Sequence, residues 1–345
     1  MKRWGWIAAM ALAAACLTAQ TLDQPVATIK LDKKTSLVSQ KDFRDQVANI
    51  ESQQHAKLSD DDKKKVLDQM INSELIKLDM DNQGVKATDD DLMKQFRTNN
   101  PNLSDVQIRA EVEKQSGKSW DDAVAPLKRQ LAMSKYFSQF PQTAEVGKVT
   151  VTDDDVKAFF DANTSLFTAP DYVRMSHIFF DTKTKPKGTL DEIQKRADDT
   201  LKKITSGQST FEEMAANVSD DTTSAKLNGD VGFIPRTSES PAGQRFAAIL
   251  GQDFLTRIFA LKKGEISGVI ASNQGLHIVR ITQKIDKHFL SLDEAIYPGQ
   301  TQTVRGYIQQ MLQQRKLMEN QNKLFNDVAG TLREKATIKT YEQNF

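Results

Sequence analysis

Two histidines and one short acidic segment are the residues of this chain that could carry chemistry. His177 lies in the strand-like stretch Tyr172 to Phe180, and His277 lies in a second one, Leu276 to Thr282. Histidine is unusual in strand interiors, which favour β-branched and aromatic residues. Asp221 lies between them in the polar segment SDDTTSA. These residue types could serve a metal site, a Ser-His-Asp hydrolase, or simply a buried histidine bonded to its neighbours.

The residue counts weaken the first two of these chemistries. The chain has one cysteine, Cys16, and four histidines, and a catalytic zinc ion normally takes three protein ligands at characteristic spacing. No G-x-S-x-G turn is present to hold a nucleophilic serine. Three aspartate triplets follow Ser59, Thr88 and Thr152, but they lack the glycine and closing glutamate of a calcium loop and predict helix caps instead. The residue types and motifs therefore argue against a metal site and leave non-metal chemistry or pure binding.

The overall charge argues against a nucleic-acid partner. The 345 residues include 47 Lys and Arg against 46 Asp and Glu, for a formal net charge of +1. A protein that neutralises phosphates needs a basic excess. The length predicts two or three domains, and 39% hydrophobic residues are enough to build their cores.

The first residues have the pattern of an export signal. Lys2 and Arg3 precede an uncharged stretch from Trp4 to Ala15, which is too short for a membrane span of about 20 residues. We expect residues 1–19 to be a signal peptide and the protein to lie in the periplasm or cell envelope. Small residues before Cys16 resemble a loose lipobox, so Cys16 either carries lipid, as the one membrane contact, or belongs to an ordinary leader.

Three regions follow the leader. Residues 20–170 read as one strand, Val26 to Leu31, followed by helices. Residues 171–286 have the order β-α-α-loop-α-β-β, which is typical of an α+β module. Residues 287–345 contain a long amphipathic helix and a closing strand, Ala336 to Tyr341. Because both ends present apolar faces, we expect them to pack together, with the middle module inserted as a separate lobe.

The first strand of the middle module alternates between two faces. Along Tyr172 to Phe180, one face carries Val173, Met175, His177 and Phe179, and the other carries Arg174, Ser176, Ile178 and Phe180. Considered alone, His177 is best interpreted as a buried histidine bonded to its neighbours.

Separated sequence blocks in the middle module together resemble the parvulin family of peptidyl-prolyl cis–trans isomerases. They are FEEMA (211–215), SDDTTSA (219–225), GDVGF (229–233), FALKKGEIS (259–267) and GLHI (275–278). The resemblance covers Tyr172 to Ile285. The flanking regions, with less specific motifs, resemble the N-terminal helical domain and the C-terminal helix and strand of exported SurA- and PrsA-type foldases.

The resemblance implies a fold and a site. The fold is a small antiparallel sheet surrounded by helices, and the site needs no cofactor. His177 and His277 would share a hydrogen-bond network under the substrate, and Asp221 would stand near the substrate carbonyl. The positions that would contact substrate are Val231, Leu250, Phe254, Phe259 and Gln274. Lys183, Lys185 and Lys187 follow the first strand where some eukaryotic parvulins bind phosphate, although an exposed loop is the simpler interpretation here.

The implied reaction is rotation about the bond before proline, whose uncatalysed barrier is about 18–20 kcal/mol. The expected partners are unfolded or partly folded exported polypeptides with X-Pro bonds. Two alternatives remain open: a chaperone or peptide-binding protein whose parvulin lobe is weak or inactive, and a structural lipoprotein of the envelope.

Overall fold

The structure, a computed structural model, describes residues 23–184, 186–236 and 241–345. Their internal contacts divide the chain into two compact units. Residues 23–149 and Lys316–Phe345 form the first unit, and Thr150–Arg315 form the second. The leader predicted over residues 1–19 lies outside the described residues. Among the helices described, none is both long and apolar enough to cross a membrane.

The chain folds as an α+β protein with short antiparallel strands and many helices. Its strands are β1 (Pro25–Leu31), β2 (Lys34–Ser39), β3 (Thr168–Ala169), β4 (Tyr172–Asp181), β5 (Asp230–Pro235), β6 (Ile266–Ala271), β7 (Gly275–Ile285), β8 (His288–Phe289) and β9 (Thr337–Thr340). Its α-helices are α1 (Gln40–Gln54), α2 (Asp60–Gln83), α3 (Asp89–Asn99), α4 (Asp105–Ser116), α5 (Trp120–Phe137), α6 (Thr143–Val146), α7 (Asp153–Ala162), α8 (Leu190–Thr205), α9 (Phe211–Val218), α10 (Thr222–Ala225), α11 (Pro241–Leu250), α12 (Gln252–Ala260) and α13 (Val304–Lys335).

The helix starts follow the capping signals in the sequence. The Ser59 hydroxyl accepts a hydrogen bond from the backbone of Asp62 at the start of α2. Thr88 and Thr152 form capping boxes at the starts of α3 and α7. Acidic residues in the first turn also suit the positive end of a helix. The aspartate triplets therefore form the first turns of helices capped by serine or threonine, as predicted.

The two ends of the chain share the core of the first unit. Strand β1 lies between β2 and β9, and Ala27 pairs with Thr340. Side chains from α1, α2, α5 and α13 cover the sheet and are almost fully buried; they include Phe43, Ile71, Leu75, Tyr136 and Ala329. The expected packing of the C-terminal helix and strand on the N-terminal region is confirmed.

The second unit contains a four-stranded antiparallel sheet in the order β5-β4-β7-β6. On one face, Val173 and Met175 pack against Phe254 of α12. On the other face, Ile178 and Phe180 pack with residues of α8 and α9. The predicted alternation along β4 is confirmed, and it gives the sheet two separate apolar layers.

A third apolar cluster extends the second unit beyond the predicted module. It joins Val156 of α7, Tyr172 of β4, and Val304 and Ile308 of α13. The unit therefore runs from Thr150 to Arg315, whereas the sequence placed its borders at 170/171 and 286/287. The difference arises because the flanking helices bury their apolar faces against the end of the same sheet.

The sequence patterns do not predict β2, β5 or α11. Strand β2 is largely polar and exposed, and it follows β1 through a turn in which Asp32 has a left-handed φ of 53°. Strand β5 lies at the end of the polar, glycine-containing segment. Both are edge strands, which backbone pairing stabilises without a regular apolar pattern. The β-strand count of the middle module is therefore higher than expected.

Candidate active site

The register between β4 and β7 brings the two histidines together. His177 is paired with Val279, and His277 is paired with Phe179. The two histidines are thus diagonal neighbours on one face of an antiparallel pair, within reach of long side chains. Their Nδ1 atoms lie 3.2 Å apart, and both side chains are buried.

The Nε2 atoms of the two histidines also have polar partners. His177 Nε2 lies 3.0 Å from Asp221 Oδ2 and 3.1 Å from the Ser224 hydroxyl. His277 Nε2 lies 2.7 Å from the hydroxyl of Ser272. The result is a continuous polar chain from Ser272 to Asp221 across the interior of the sheet.

If both imidazole rings are neutral, one arrangement of hydrogens satisfies every hydrogen bond from Ser272 to Asp221. Because the Asp221 carboxylate can only accept, His177 donates from Nε2 and accepts at Nδ1. His277 then donates from Nδ1 to His177, and its Nε2 accepts from the Ser272 hydroxyl. Ser272 also accepts from the backbone N–H groups of Gln274 and Gly275. The turn before β7 therefore fixes the tautomer of His277.

The two ends of this series of hydrogen-bonded side chains differ in their electrostatics. The hydrogen bond from His177, followed by bonds from Ser224 and the Thr223 backbone, holds the pKa of Asp221 well below its usual range. Burial, together with the neighbouring His177, lowers the pKa of His277 to about 3. The site therefore holds a neutral interior imidazole and an ionised carboxylate at neutral pH. The Asp221 side chain is 31% exposed, so its charge meets solvent.

Aromatic rings surround the imidazole pair. The ring of Phe179 stacks on His177 at 5.9 Å and lies 4.8 Å from the ring of His277. Phe254 of α12 approaches His277 from the helical side, with ring centroids 4.7 Å apart. This apolar packing excludes water from the two imidazoles, which explains the lowered pKa of His277.

Backbone bonds place the Asp221 loop against β4. Phe179 donates its N–H to the hydroxyl of Ser219 (3.1 Å), and its carbonyl accepts from the N–H of Asp220 (2.7 Å). Asp221 then caps the short helix α10, accepting at its side chain from the N–H groups of Thr223 and Ser224. The carboxylate that contacts His177 is thus fixed by the preceding backbone bonds to β4 and by the following cap of α10.

Two glycines allow these close approaches. A Cβ atom on Gly275 would lie 2.2 Å from the carbonyl oxygen of Phe180. A Cβ atom on Gly229, which has a φ of 85°, would lie 2.7 Å from the carbonyl oxygen of His177. Both carbonyls belong to β4. Glycine at these positions permits the backbone contacts that set the position of the histidines.

The structure places one of the predicted substrate-contacting residues, Phe254, directly against a histidine. Phe254 contacts His277, and Leu250 packs beside Phe254 in the same apolar cluster. Val231 is 38% exposed and lies in β5, opposite the irregularity between Met175 and Ser176.

Phe259 and Gln274 have different surroundings. Phe259 lies five residues after Phe254 on α12, turned toward Arg236, whose guanidinium carbon is 4.6 Å from the ring centroid. It lines a groove of about 330 Å³ with Arg236, Leu255 and other residues. Gln274 lies in the turn before β7, where its side-chain amide donates to the carbonyl of Ile249 (3.2 Å). Gln274 thus links this turn to the end of α11.

Three further residues join the site that were not among the predicted site residues. They are Phe179, Ser224 and Ser272. Phe179 follows His177 by two residues and therefore shares its face of β4, which was a usable signal. Ser224 belongs to the SDDTTSA block, although no role was assigned to it, and serines are common in turns, so nothing local distinguished Ser272. Within the residues described, no group of three or more His, Cys, Asp or Glu side chains is arranged to hold a metal ion.

A family model for the PPIC-type PPIase domain matches residues 151–296. Its borders take in the sheet, the histidines, Asp221 and much of the cluster around Val156. The middle of the chain is therefore a parvulin-type peptidyl-prolyl isomerase domain.

The curated relatives include PrsA foldases. The chain is 26% identical over 219 residues to the foldase protein PrsA of Clostridium botulinum (strain Langeland), covering 63% of this chain and 54% of that protein. It is 30% identical over 143 residues to that of Staphylococcus aureus (strain bovine RF122), covering 40% and 38%. The Clostridium perfringens protein is 24% identical over 84% of this chain and 80% of its own length. The match to the C. botulinum protein thus spans about half of its length.

Solved structures give a weaker likeness. One, from work on the Campylobacter jejuni SurA-like chaperones PEB4 and Cj1289, is 19% identical with a TM-score of 0.34, covering 86% of this chain and 94% of that chain. The Bacillus anthracis PrsA structure is 24% identical with a TM-score of 0.29, covering 76% and 94%. Scores this low do not establish a shared overall arrangement.

Proposed function

We propose that this protein is a peptidyl-prolyl cis–trans isomerase and chaperone that assists the folding of exported proteins. The observation that carries the proposal is the buried pair of His177 and His277, ended by the ionised Asp221, inside a domain that matches the PPIC-type family. His177, His277 and Asp221 are the proposed catalytic residues. Val231, Leu250, Phe254, Phe259 and Gln274 are the proposed substrate contacts.

The geometry suits rotation of a prolyl amide. Twisting the amide removes its resonance and makes the bond less polar, so an apolar surface favours the twisted state over the planar one. Phe254 and Phe179 provide such a surface beside the imidazoles. No bond is broken in this reaction, so the imidazole pair and a fixed carboxylate suffice, and no nucleophile or cofactor is needed.

The location and partners belong to the same proposal. The sequence of residues 1–19 supports export to the periplasm or envelope, with Cys16 as the candidate for lipid attachment. The proposed partners are unfolded polypeptides with X-Pro bonds, engaged by the first unit as a chaperone domain. Mass spectrometry of the mature N-terminus would distinguish a lipid-modified Cys16 from a cleaved leader.

A protease-coupled assay on a short Ala-Pro peptide tests the enzymatic part. We expect the wild-type protein to accelerate cis-to-trans conversion. The uncatalysed conversion takes tens to hundreds of seconds. Suppression of the aggregation of an unfolded protein tests the chaperone part. A rate no faster than the spontaneous one, with aggregation still suppressed, would favour the alternative of a peptide-binding chaperone with an inactive lobe.

A further inference from the structure

A groove in the first unit takes no part in the proposed isomerase site. It has a volume of about 680 Å³ and lies between β2, α1 and α2. Cavities that bind drug-sized ligands have volumes of about 300–1,000 Å³. Its base is apolar, because Val38 and Val66 are buried there, while Met70 is half-buried and Leu37 is 51% exposed. The groove is therefore suited to a few residues of a polypeptide.

The groove meets the free edge of β2. Successive side chains of a strand point to opposite faces of its sheet, yet both Leu37 and Val38 line the groove. The groove therefore lies along the edge of the strand and not on one face alone. Strand β1 occupies the other edge, and no strand among the described residues pairs with β2 on the groove side. An edge strand of this kind can pair with another extended chain.

Acidic side chains outnumber basic ones along the groove. Asp42 and Asp45 lie on α1 and Glu74 lies on α2, and Lys77 is the only cation among the described residues of the lining. Three carboxylates against one ammonium group give the lining a net charge of −2. Lys77 Nζ lies 2.5 Å from Glu74 Oε1, so these two charges compensate each other. The excess negative charge therefore belongs to the two aspartates of α1.

The protein itself neutralises these two aspartates weakly. Asp42 accepts a hydrogen bond from the Ser39 hydroxyl at 2.9 Å, and no salt bridge among the described residues includes it. Asp45 pairs with Lys41, but both side chains are largely exposed. Exposed ion pairs of this kind contribute only about 0–1 kcal/mol. Both carboxylates are thus available to a cationic ligand.

We propose that this groove binds an extended, cationic segment of an unfolded polypeptide. The backbone of the segment pairs with the free edge of β2, and an apolar side chain contacts Val66 and Met70. A lysine or arginine side chain meets Asp42 and Asp45. Along α1 the lining extends from Asp42 to Asn49, about 10 Å, which is the length of about three extended residues. The inference rests on the proposed chaperone function and adds to it the site and the class of client segment.

Three short, proline-free peptides test the site without offering a prolyl bond to the isomerase domain. In each, valine alternates with a second residue, which is lysine, glutamine or glutamate. The measurement is the Kd of each labelled peptide for the full chain, by fluorescence anisotropy at low salt. We expect the lysine peptide to bind about fivefold more tightly than the glutamine peptide, and the glutamate peptide to bind most weakly. High salt should reduce these differences, because it screens exposed charges.

Substitutions in the lining assign the binding to the groove. Asp42→Asn combined with Asp45→Asn keeps the side-chain shapes, and it should weaken the lysine peptide about fivefold while leaving the glutamine peptide unchanged. Adding Leu37→Lys, at an exposed position, makes the lining positive. The triple variant should therefore bind the glutamate peptide more tightly than the lysine peptide.

The matched control is Asp121→Asn combined with Asp122→Asn on α5. Asp122 accepts a hydrogen bond from the Ser119 hydroxyl, as Asp42 does from that of Ser39. Both double variants remove two charges from the beginning of a helix in the first unit, but Asp121 and Asp122 do not line the groove. The control should leave all three Kd values unchanged.

Strand pairing is tested with N-methylated forms of the lysine peptide. Backbone N–H groups along a strand point alternately to its two sides. Methylation of either the valines or the lysines therefore removes the donors that face β2. We expect one of these two peptides to lose binding and the other to keep it. Equal affinity of the two would overturn the pairing with β2 and the proposal with it.

The remaining outcomes separate the inference from the proposed function. Equal Kd values for the lysine, glutamine and glutamate peptides would overturn the inference. An equal change in the groove variant and its control would do the same, because the effect would then be one of net charge alone. The chaperone function would still stand in both cases if the wild-type protein suppressed the aggregation of an unfolded protein. A wild-type protein that neither suppresses aggregation nor binds any peptide would overturn both.

Discussion

Asp221 has two roles that a substitution can separate. It accepts a hydrogen bond from His177 through its carboxylate, and it caps α10 through the backbone N–H groups of Thr223 and Ser224. Only the first role needs a negative charge, because asparagine caps helices as well as aspartate does. The choice of substitution therefore decides which role is removed.

We expect Asp221→Asn and Asp221→Ala to lower kcat/KM on Ala-Pro by similar factors of about tenfold, because both remove the charge beside His177. Their stabilities should differ. Asp221→Ala also loses the cap, which costs about 1 kcal/mol, whereas Asp221→Asn keeps it. Kinetics and thermal melting of the two variants measure this. Loss of activity in the alanine variant alone would show that the cap, not the charge, matters.

The neutral state of His277 makes stability depend on pH. Burial lowers the pKa of His277 to about 3 in the folded protein, while an unfolded chain binds this proton near pH 6.5. Between these values the unfolded state holds more protons than the folded state. The stability that the neutral His277 contributes is therefore fully present above about pH 6.5. It is lost progressively as the pH drops toward 3. Asp221 stays ionised at and above pH 5.5, since its pKa is lowered.

We expect the urea midpoint of the wild-type protein to fall between pH 7.5 and pH 5.5 more steeply than that of His277→Asn. The limiting difference in slope is about 1.4 kcal/mol per pH unit. Parallel slopes in the two proteins would mean that His277 is protonated in the folded state after all. The comparison uses the full chain, so titration of groups far from the site cancels.

Among the elements, the hairpin of β6 and β7 determines whether the two histidines meet. The turn between them supplies Ser272 to His277 and joins Gln274 to the end of α11. Gly275, at the start of β7, permits the backbone of β4 to approach. The pairing of β4 with β7 is therefore the element-level basis of the imidazole contact.

Two glycines of this hairpin provide a matched test. Gly275→Ala would place a Cβ atom 2.2 Å from the Phe180 carbonyl oxygen, whereas a Cβ atom on Gly268 in β6 would meet nothing within 4 Å. We expect Gly275→Ala to destabilise the protein by about 3 kcal/mol or more and to lower isomerase activity, because β7 must shift. Gly268→Ala should change both by little. Thermal melts and the Ala-Pro assay of both variants decide whether the close approach controls the site.

At the scale of the whole molecule, the isomerase domain interrupts another unit. The first unit is assembled from residues 23–149 and Lys316–Phe345, which are distant in sequence. Helix α13 begins in the second unit and supplies buried residues to the core of the first, among them Val328 and Ala329. The two proposed activities are thus assigned to different compact units of one chain.

This division predicts that the activities can be lost separately. Ala329 is fully buried in the first unit, so Ala329→Asp places an unpaired charge in its core at a cost of several kcal/mol. We expect this variant to lose suppression of aggregation while retaining turnover of the Ala-Pro peptide. Asn326→Asp is the control, since Asn326 is exposed on the same helix. Equal loss of both activities would show that the units depend on each other for folding.

The sequence by itself determined the local features of this protein. Aspartates after serine or threonine predicted the helix starts, and alternation along β4 placed His177 on the same face as Val173 and Met175. Separated motifs from FEEMA to GLHI indicated the parvulin family. Such signals act over a few residues or survive as fixed spacings, so they can be interpreted without knowing how the chain closes.

Only the tertiary structure decided how these features meet. His177 and His277 are 100 residues apart, and their contact depends on the register of β4 with β7. The edge strand β5 also comes from a chain segment that carries no regular pattern. Pairing between distant segments is selected by the packing of the whole unit. Local periodicity therefore could not reveal the hydrogen-bond order of the site or the direction in which Phe259 points.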